Sequence, residues 1–311
     1  MKAPRNKTID FDLEKGKAYL DRCISVKQKI TLDNALNKTI LGDCLSVLDN
    51  LPKNSVDLLI ADPFYNLDKE FHGINFAKLS KNEYVRYTCD WIEKVMPLLK
   101  QNASVYICCD WQSSLVIGNI LNEYFIVQNR ITWQREKGRG AKKNWKNAME
   151  DIWFATLSND YTFNVEDVML RRKVLAPYKL NGKPKGWEQT PNGNFRNTYP
   201  SNFWDDISIP YWSMAENTAH PTQKPEKLIA RLILASSNKN DVVLDPFLGS
   251  GTTSVVAKKL GRNYIGIEQN PLYCAWAEYR LEKASLDKTI QGYTDGVFWE
   301  RNTLCAQLKE K

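Results

Sequence analysis

The chain has 311 residues, 43% hydrophobic and 25% charged, with 43 Lys plus Arg against 36 Asp plus Glu, a formal charge of +7. That size and apolar share suffice for a large α/β core and exclude wholesale disorder, collagen-like repeats and a coiled-coil rod. No run of roughly 18 apolar residues exists to span a membrane as a helix.

The N-terminal MKAPRNKTIDFDLEKGKAYL lacks an apolar core with a cleavage site, so no secretory signal is expected. Seven cysteines form an odd, scattered set with Cys108 and Cys109 adjacent in an apolar run, which predicts reduced thiols and a cytosolic protein. His72 and His220 are the two histidines, too few for a His-rich metal site, and no metal is expected.

In chain order, residues 1–38 read as a mixed, charged arm with a short helix. Thr39–Leu41 and Val56–Ala61 read as buried parallel strands, each ending at a carboxylate, in Gly42-Asp43 and Asp62-Pro63. Lys81–Leu99 has helical periodicity, Ser104–Cys109 reads as a strand and Leu115–Leu121 as a helix. Phe125–Trp133 and Asp151–Thr156 are strand candidates flanking a basic loop at 138–146. Residues 160–217 lose the alternation and read as an inserted, partly irregular module.

The pattern restarts with helix Pro225–Ser236, strand Val242–Leu244, helix Thr252–Leu260, strand Tyr264–Ile267 and helix Leu272–Lys283. Alternating βα units ask for a mostly parallel sheet covered on both faces. The division expected is an arm at 1–38, one half of an α/β domain at 39–133, and a basic insertion at 134–217 whose 151–156 returns to the sheet. The second half of the same domain follows at 218–283, with an extension at 284–311.

The positive charge is concentrated. Between Gln134 and Gly186 lie 12 basic and six acidic residues, +6 of the chain's +7. Trp133, Trp145, Trp153, Tyr161, Phe163, Tyr178 and Trp187 punctuate the same stretch. A basic surface with interleaved aromatics suits a nucleic-acid backbone with side chains left over for bases; a solvated face over core aromatics would show the same pattern.

Two short segments carry chemistry. Asp245-Pro246-Phe247-Leu248-Gly249-Ser250-Gly251-Thr252-Thr253 follows a strand and opens a helix, so Gly249 and Gly251 allow tight turns and close approach of a ligand. It is neither a Walker loop nor a full GxGxxG. Glu268 ends the next strand, where an acid can accept both hydroxyls of an adenosine ribose. At the end of VDLLIA, Asp62-Pro63-Phe64-Tyr65 offers a carboxylate, a free carbonyl and an aromatic face. These can grip a planar base that bears an exocyclic amine.

In combination these segments resemble the amino-methyltransferases that modify exocyclic amines of DNA with S-adenosylmethionine. DPFY is similar to the family's D/N/S-PP-Y/F motif, and DPFLGSGTT to its cofactor loop. His220-Pro221-Thr222-Gln223-Lys224-Pro225 is similar to the segment that closes over the cofactor from the other side. The likeness runs from Thr39 to about Lys283. The catalytic motif comes first and the cofactor loop last, which is the circularly permuted β arrangement. Ile131–Phe154 and Phe203–Asn217 resemble the restriction-modification adenine enzymes related to the RsrI and MboII methyltransferases. Phe64 departs from the pattern, standing where a second Pro is usual.

The resemblance implies an α/β, Rossmann-like methyltransferase fold with an antiparallel edge, and site-specific methylation of adenine N6 in double-stranded DNA by base flipping, without metal. Asp62 and the Pro63 carbonyl would accept the amine hydrogens, with Phe64 and Tyr65 completing the site. Asp43 and Cys44 would lie near the cofactor adenine, with Pro246 and Phe247 close by. Lys224 and the helix opening at Ser250–Thr252 would meet the methionine carboxylate, Thr222 would also contact the cofactor, and His220 would order its loop.

Arg139, Lys142, Lys143 and Lys146 are candidate phosphate contacts, and Asn144, Asn147, Arg171, Arg172 and Arg196 candidate base readers. Expected partners are double-stranded DNA, a restriction endonuclease of the same specificity and a second copy in a homodimer, all in a bacterial cytosol. The rival is cytosine-N4 methylation, which uses the same grip but often begins its motif with Ser. Cytosine C5 chemistry lacks its Pro-Cys pair here, and a non-catalytic DNA-binding protein would not need this site. One spatial demand follows: Asp62-Pro63 and Gly249–Gly251 must share a cleft.

Overall fold

The structure, a computed structural model, describes residues 3–71, 74–135, 143–174, 178–191 and 193–300. Its main sheet has eight strands in the spatial order Lys38–Leu41, Asn263–Glu268, Val242–Asp245, Val56–Ala61, Leu99–Cys109, Met149–Thr156, Ile126–Gln134 and Phe203–Trp204. Met149–Thr156 is antiparallel to both neighbours and the other ladders are parallel. The reversed strand therefore lies two strands in from the last one, which is the two-residue Phe203–Trp204.

Successive side chains of the central strands feed opposite cores, as a period of two demands. Leu58, Ile60, Tyr106 and Cys108 pack under helices Glu226–Ser236 and Thr252–Lys259. Leu59, Ala61, Val105 and Ile107 pack under helices Lys81–Val95 and Trp111–Tyr124. Strands buried on both faces read as near-continuous apolar runs, which is why VDLLIA stands out in the sequence.

Helix Lys81–Val95 stops before the expected Leu99, because Met96–Leu98 tightens into a 3₁₀ turn containing Pro97 and Leu99 already opens the next strand. The next helix starts at Trp111, four residues before the expected Leu115, because Asp110 caps it by accepting from Ser113 N at 2.8 Å.

Residues 160–217 are more regular than their composition suggests. Leu170–Lys173, Glu188–Thr190 and Gly193–Thr198 join a second, five-stranded sheet with Tyr293–Thr294 and Val297–Trp299 from the C-terminal segment. A buried ion cluster fastens it to the main body. Lys227 Nζ donates to Asp206 Oδ2 at 2.8 Å and to the Trp299 carbonyl at 2.5 Å, and Arg231 Nη2 donates to Asp206 Oδ2 at 2.8 Å. The Arg231 guanidinium also lies over the Trp204 and Phe298 rings.

The N-terminal arm packs on helix Pro271–Leu286. Its Ile9 exchanges backbone bonds with Asn217 and Ala219, immediately before His220.

Candidate active site

Parallel pairing of Val243 with Leu58 and of Leu244 with Leu59 brings the ends of two strands together. Asp62 and Asp245 thus reach the same end of the sheet although 183 positions separate them (245 − 62). A cavity of about 550 Å³ opens there, lined by Asp62-Pro63-Phe64-Tyr65, by Asp245 through Ser250 and Thr252, and by Asp43, Cys44, His220, Thr222, Lys224 and Glu268. Asp62-Pro63 and Gly249-Ser250 thus share one cleft, whereas Gly251 is not among its lining residues.

The loop after Asp62 is held from several sides. Asn66, at φ 54°, accepts from Leu79 N at 2.7 Å and donates to the Leu79 carbonyl at 3.1 Å, closing the base of the 66–79 excursion. The Ser113 hydroxyl donates to the Tyr65 carbonyl at 2.9 Å, and the Tyr84 hydroxyl to the Phe64 carbonyl at 3.0 Å. Phe64 in place of a second Pro leaves this turn fastened through its own carbonyl.

Asp62 already has two donors. The Tyr65 hydroxyl donates to Oδ1 at 2.5 Å and Lys224 Nζ to Oδ2 at 2.6 Å. Lys224 Nζ also donates to the Tyr65 oxygen at 2.9 Å. Burial alone would lower the Lys224 pKa, but Asp62 and Glu150 raise it above its ordinary value. Burial, then Asp62 and Glu150, push Tyr65 well up, so it stays a neutral phenol.

The ammonium of Lys224 is therefore turned toward the DPFY carboxylate. The expected place at the helix opening is met only by its backbone, whose carbonyl accepts from Thr252 Oγ1 at 3.1 Å.

In the glycine loop, Gly251 caps helix Thr252–Lys259 at φ 87°, and a Cβ there would meet Ala277 Cβ at 2.6 Å. The close approach expected of a ligand is here made by helix Pro271–Leu286. Gly249, at φ 54°, would direct a Cβ to His220 Nε2 at 3.2 Å, and that imidazole packs edge-on against Tyr273. His220 thus braces the loop. Arg280 holds the helix opening from behind, donating to the Ser250 carbonyl at 2.8 Å and to Thr252 Oγ1 at 3.0 Å.

Asp245 is buried, accepts from Phe247 N at 2.9 Å, and has its pKa pushed by burial up to about 7. Glu268 accepts from Gly249 N at 2.8 Å and from Asn270 N at 2.7 Å, so each carboxylate oxygen holds one backbone amide and keeps further acceptor capacity. Asp43 caps the Cys44–Leu48 turn through Ser46 N at 3.1 Å, and burial pushes the Cys44 thiol up to about 12. Phe247 packs edge-on against Trp91. Asp43, Asp62, Asp245 and Glu268 put four carboxyls around one cavity, which is also lined by Lys224, whose ammonium is paired with Asp62.

The described candidate DNA contacts are not among the residues lining this cavity. Arg139 and Lys142 fall outside the described residues. Lys143, Asn144, Lys146 and Asn147 are exposed; the Asn144 and Asn147 oxygens accept from Trp145 N and Met149 N. Arg171, expected as a base reader, instead packs over the Phe195 and Trp299 rings and pairs with Glu188 at 3.3 Å. Arg172 faces Arg196 across the ladder.

Of the aromatics in the basic stretch, Trp133 is core and its Nε1 donates to the Ile207 carbonyl, whereas Trp145 is 93% exposed. Glu150 was missed. It sits beneath Tyr65 and Lys224 and pairs with Arg135, but no local pattern ties position 150 to positions 62 and 224.

A family model for DNA methylases, N6_N4_Mtase, matches residues 56–279. The DNA adenine methyltransferase YhdJ of Escherichia coli (strain K12) is 37% identical over 251 residues, covering 80% of this chain and 84% of that protein. The Type II methyltransferase M1.MboII of Moraxella bovis is 34% identical over 265 residues, 81% of this chain and 99% of that protein. The crystal structure of the M1.HpyAVI–SAM complex superimposes with a TM-score of 0.51 at 27% identity, covering 78% of this chain and 98% of that one.

The fold is the Rossmann-like one of S-adenosylmethionine-dependent methyltransferases in its permuted order. With that fold, that matched span and relatives of this similarity, the chain belongs to the DNA methylase family.

Proposed function

We propose that this DNA methylase transfers a methyl group from S-adenosylmethionine to the N6 amine of adenine in double-stranded DNA. The observation that carries the reading is one cavity shared by the Asp62–Tyr65 turn and the Asp245–Ser250 loop. Asp245, Glu268, Asp43, Phe247 and the opening of helix Thr252–Lys259 would hold the cofactor, whose positive charge fits the carboxyl-lined wall. When bound, S-adenosylmethionine supplies an electrophilic methyl group.

Asp62 and the Pro63 carbonyl act on the target amine. Accepting its two N–H bonds favours a pyramidal nitrogen, whose lone pair is then less delocalised into the ring. As positive charge grows on that nitrogen, the Asp62 carboxylate stabilises the transition state more than the ground state. Tyr65 offers a face on which an extruded base can stack, offsetting part of the few kcal/mol that extrusion from a duplex costs. Adenine is favoured over cytosine because Asp, not Ser, begins the motif, and the name of the 37%-identical relative supports that choice.

The duplex would lie against the exposed loop at 143–147 and the Arg172/Arg196 face, with Trp145 as a stacking platform. We take 134–217 together with the strands at 293–299 as the recognition unit. Pairing with an endonuclease of the same specificity, and a homodimer, belong to the same proposal. The test is incubation with S-adenosylmethionine and unmethylated genomic DNA, followed by nucleoside mass spectrometry. N6-methyladenine is expected; N4-methylcytosine would move the assignment to the rival base.

A further inference from the structure

The two donors that occupy Asp62 share a second acceptor. Glu150 Oε2 lies 3.3 Å from Lys224 Nζ and 3.4 Å from the Tyr65 hydroxyl oxygen, against 2.6 and 2.5 Å for their bonds to Asp62. Glu150 reaches this place from the reversed strand Met149–Thr156, and its other oxygen is held by Arg135. The side chains of Lys224 and Glu150 are 7% and 4% exposed, so solvent screens their charges little.

This arrangement meets a difficulty in the chemistry proposed above. Asp62 must meet the positive charge that grows on the target amine, yet its carboxylate is already paired with the Lys224 ammonium and the Tyr65 hydroxyl, so its field is in large part directed at the protein's own donors. A buried ammonium cannot simply be released, because a buried charge left without a carboxylate is strongly destabilising. It can leave Asp62 only where a second carboxylate receives it.

Resting on the proposed amine methylation, we infer that Glu150 is a positioning residue: it is the second seat for the Lys224 ammonium and the Tyr65 hydroxyl. As the amine engages Asp62, these two donors shift by less than about 1 Å onto Glu150, the difference between their present distances and a normal hydrogen bond. No proton changes owner in this exchange. The net charge of the cluster stays constant, and Asp62 remains ionised while it takes up the substrate. Glu150 is not among the residues lining the cavity, so it acts through Lys224 and Tyr65.

The test is a double-mutant cycle on single-turnover methylation of unmethylated genomic DNA with tritiated S-adenosylmethionine at saturation. Glu150→Gln is isosteric, and its Arg135 partner is partly open to solvent. The expected result is a drop of at least 30-fold in rate with cofactor affinity, read by calorimetry, within threefold of wild type. In the Lys224→Gln background, where no ammonium needs a second seat, adding Glu150→Gln is expected to change the rate by less than threefold. Glu150→Asp, which keeps the charge, is expected to run at least tenfold faster than Glu150→Gln.

Equal losses in both backgrounds, or no loss in either, would overturn the inference. Thermal unfolding of each variant guards against misfolding, and the charge-neutral double variant and Glu150→Asp keep the test open should Glu150→Gln prove unstable. If the wild type modifies no amine at all, the functional reading itself has failed, which is a separate outcome.

Discussion

Leu58 and Val243 are register partners in adjacent parallel strands, and this pairing sets the site. Four residues on from Leu58 stands Asp62, and two on from Val243 stands Asp245, so one strand boundary gathers two distant motifs. Ligand sites beyond the carboxyl ends of parallel strands follow from this geometry, because the loops there diverge and leave a crevice.

Gly251 tests the loop. It combines a φ of 87° with a Cβ position 2.6 Å from Ala277 Cβ. Gly251→Ala is expected to cost about 1–3 kcal/mol from backbone strain alone, with more from displacing helix Pro271–Leu286. Urea unfolding should show that loss, and calorimetry should show weakened cofactor binding. Wild-type stability would contradict the strain assigned to this position.

The ion cluster at Asp206 tests how the second sheet is attached. Although burial opposes it, Arg231 and Lys227 hold the Asp206 pKa down to about 2. Asp206→Ala leaves two buried cations without their carboxylate and is expected to destabilise by about 3–5 kcal/mol. Limited proteolysis should then cut the segment ending in Val297–Trp299 faster than in the wild type. An unchanged digestion pattern would separate the cluster from the attachment of that strand.

Asp245 gives a pH dependence of definite sign. Burial raises its pKa in the folded protein from 3.8 to about 7, so the folded state binds this proton more tightly than the unfolded state. The stability it contributes is complete below about pH 4 and is lost as pH rises through about 7, at up to about 1.4 kcal/mol per pH unit. Asp206 has the opposite sign, contributing above about pH 4 and losing its effect as pH falls toward 2. Unfolding free energies of the cofactor-free protein should therefore decline from pH 5 to 7 less steeply in Asp245→Asn. Identical slopes would contradict the burial argument.

The exposed loop tests the DNA interface. Removing Lys143 and Lys146 charges together should reduce the slope of log affinity against log salt by nearly two, at about 0.9 per phosphate contact. Trp145→Ala should weaken binding by about 1–3 kcal/mol, as loss of one base-stacking platform does, while leaving the salt slope unchanged. Unaltered affinity and slope in these variants would put the duplex elsewhere on the surface.

What the sequence disclosed and what it hid have distinct physical causes. Asp62, Tyr65, Gly249, Gly251 and Glu268 sit in short contiguous stretches at strand ends, where burial writes an apolar run and the turn that follows demands particular residues. The strands at 170–173 and 193–198 carry Arg, Asn and Thr on a partly solvated sheet, so no apolar alternation announces them, and Val297–Trp299, though apolar, is only three residues long.

Glu150 belongs to the site only through partners at 65, 135 and 224, contacts that exist once the reversed strand has entered the sheet. Arg171 looked like a DNA contact on charge alone, whereas its neighbours across the second sheet turn it into a packing element.

The most direct measurement is single-turnover transfer of tritiated methyl from S-adenosylmethionine to unmethylated DNA by wild type and Asp62→Ala, with the labelled nucleoside identified. Label on adenine N6 is expected for the wild type. For the variant the expected rate is lower by on the order of 10²–10³, the scale for losing one electrostatic partner of the transition state, with cofactor and DNA binding retained. A variant that transfers methyl groups at close to the wild-type rate would contradict the role assigned to Asp62.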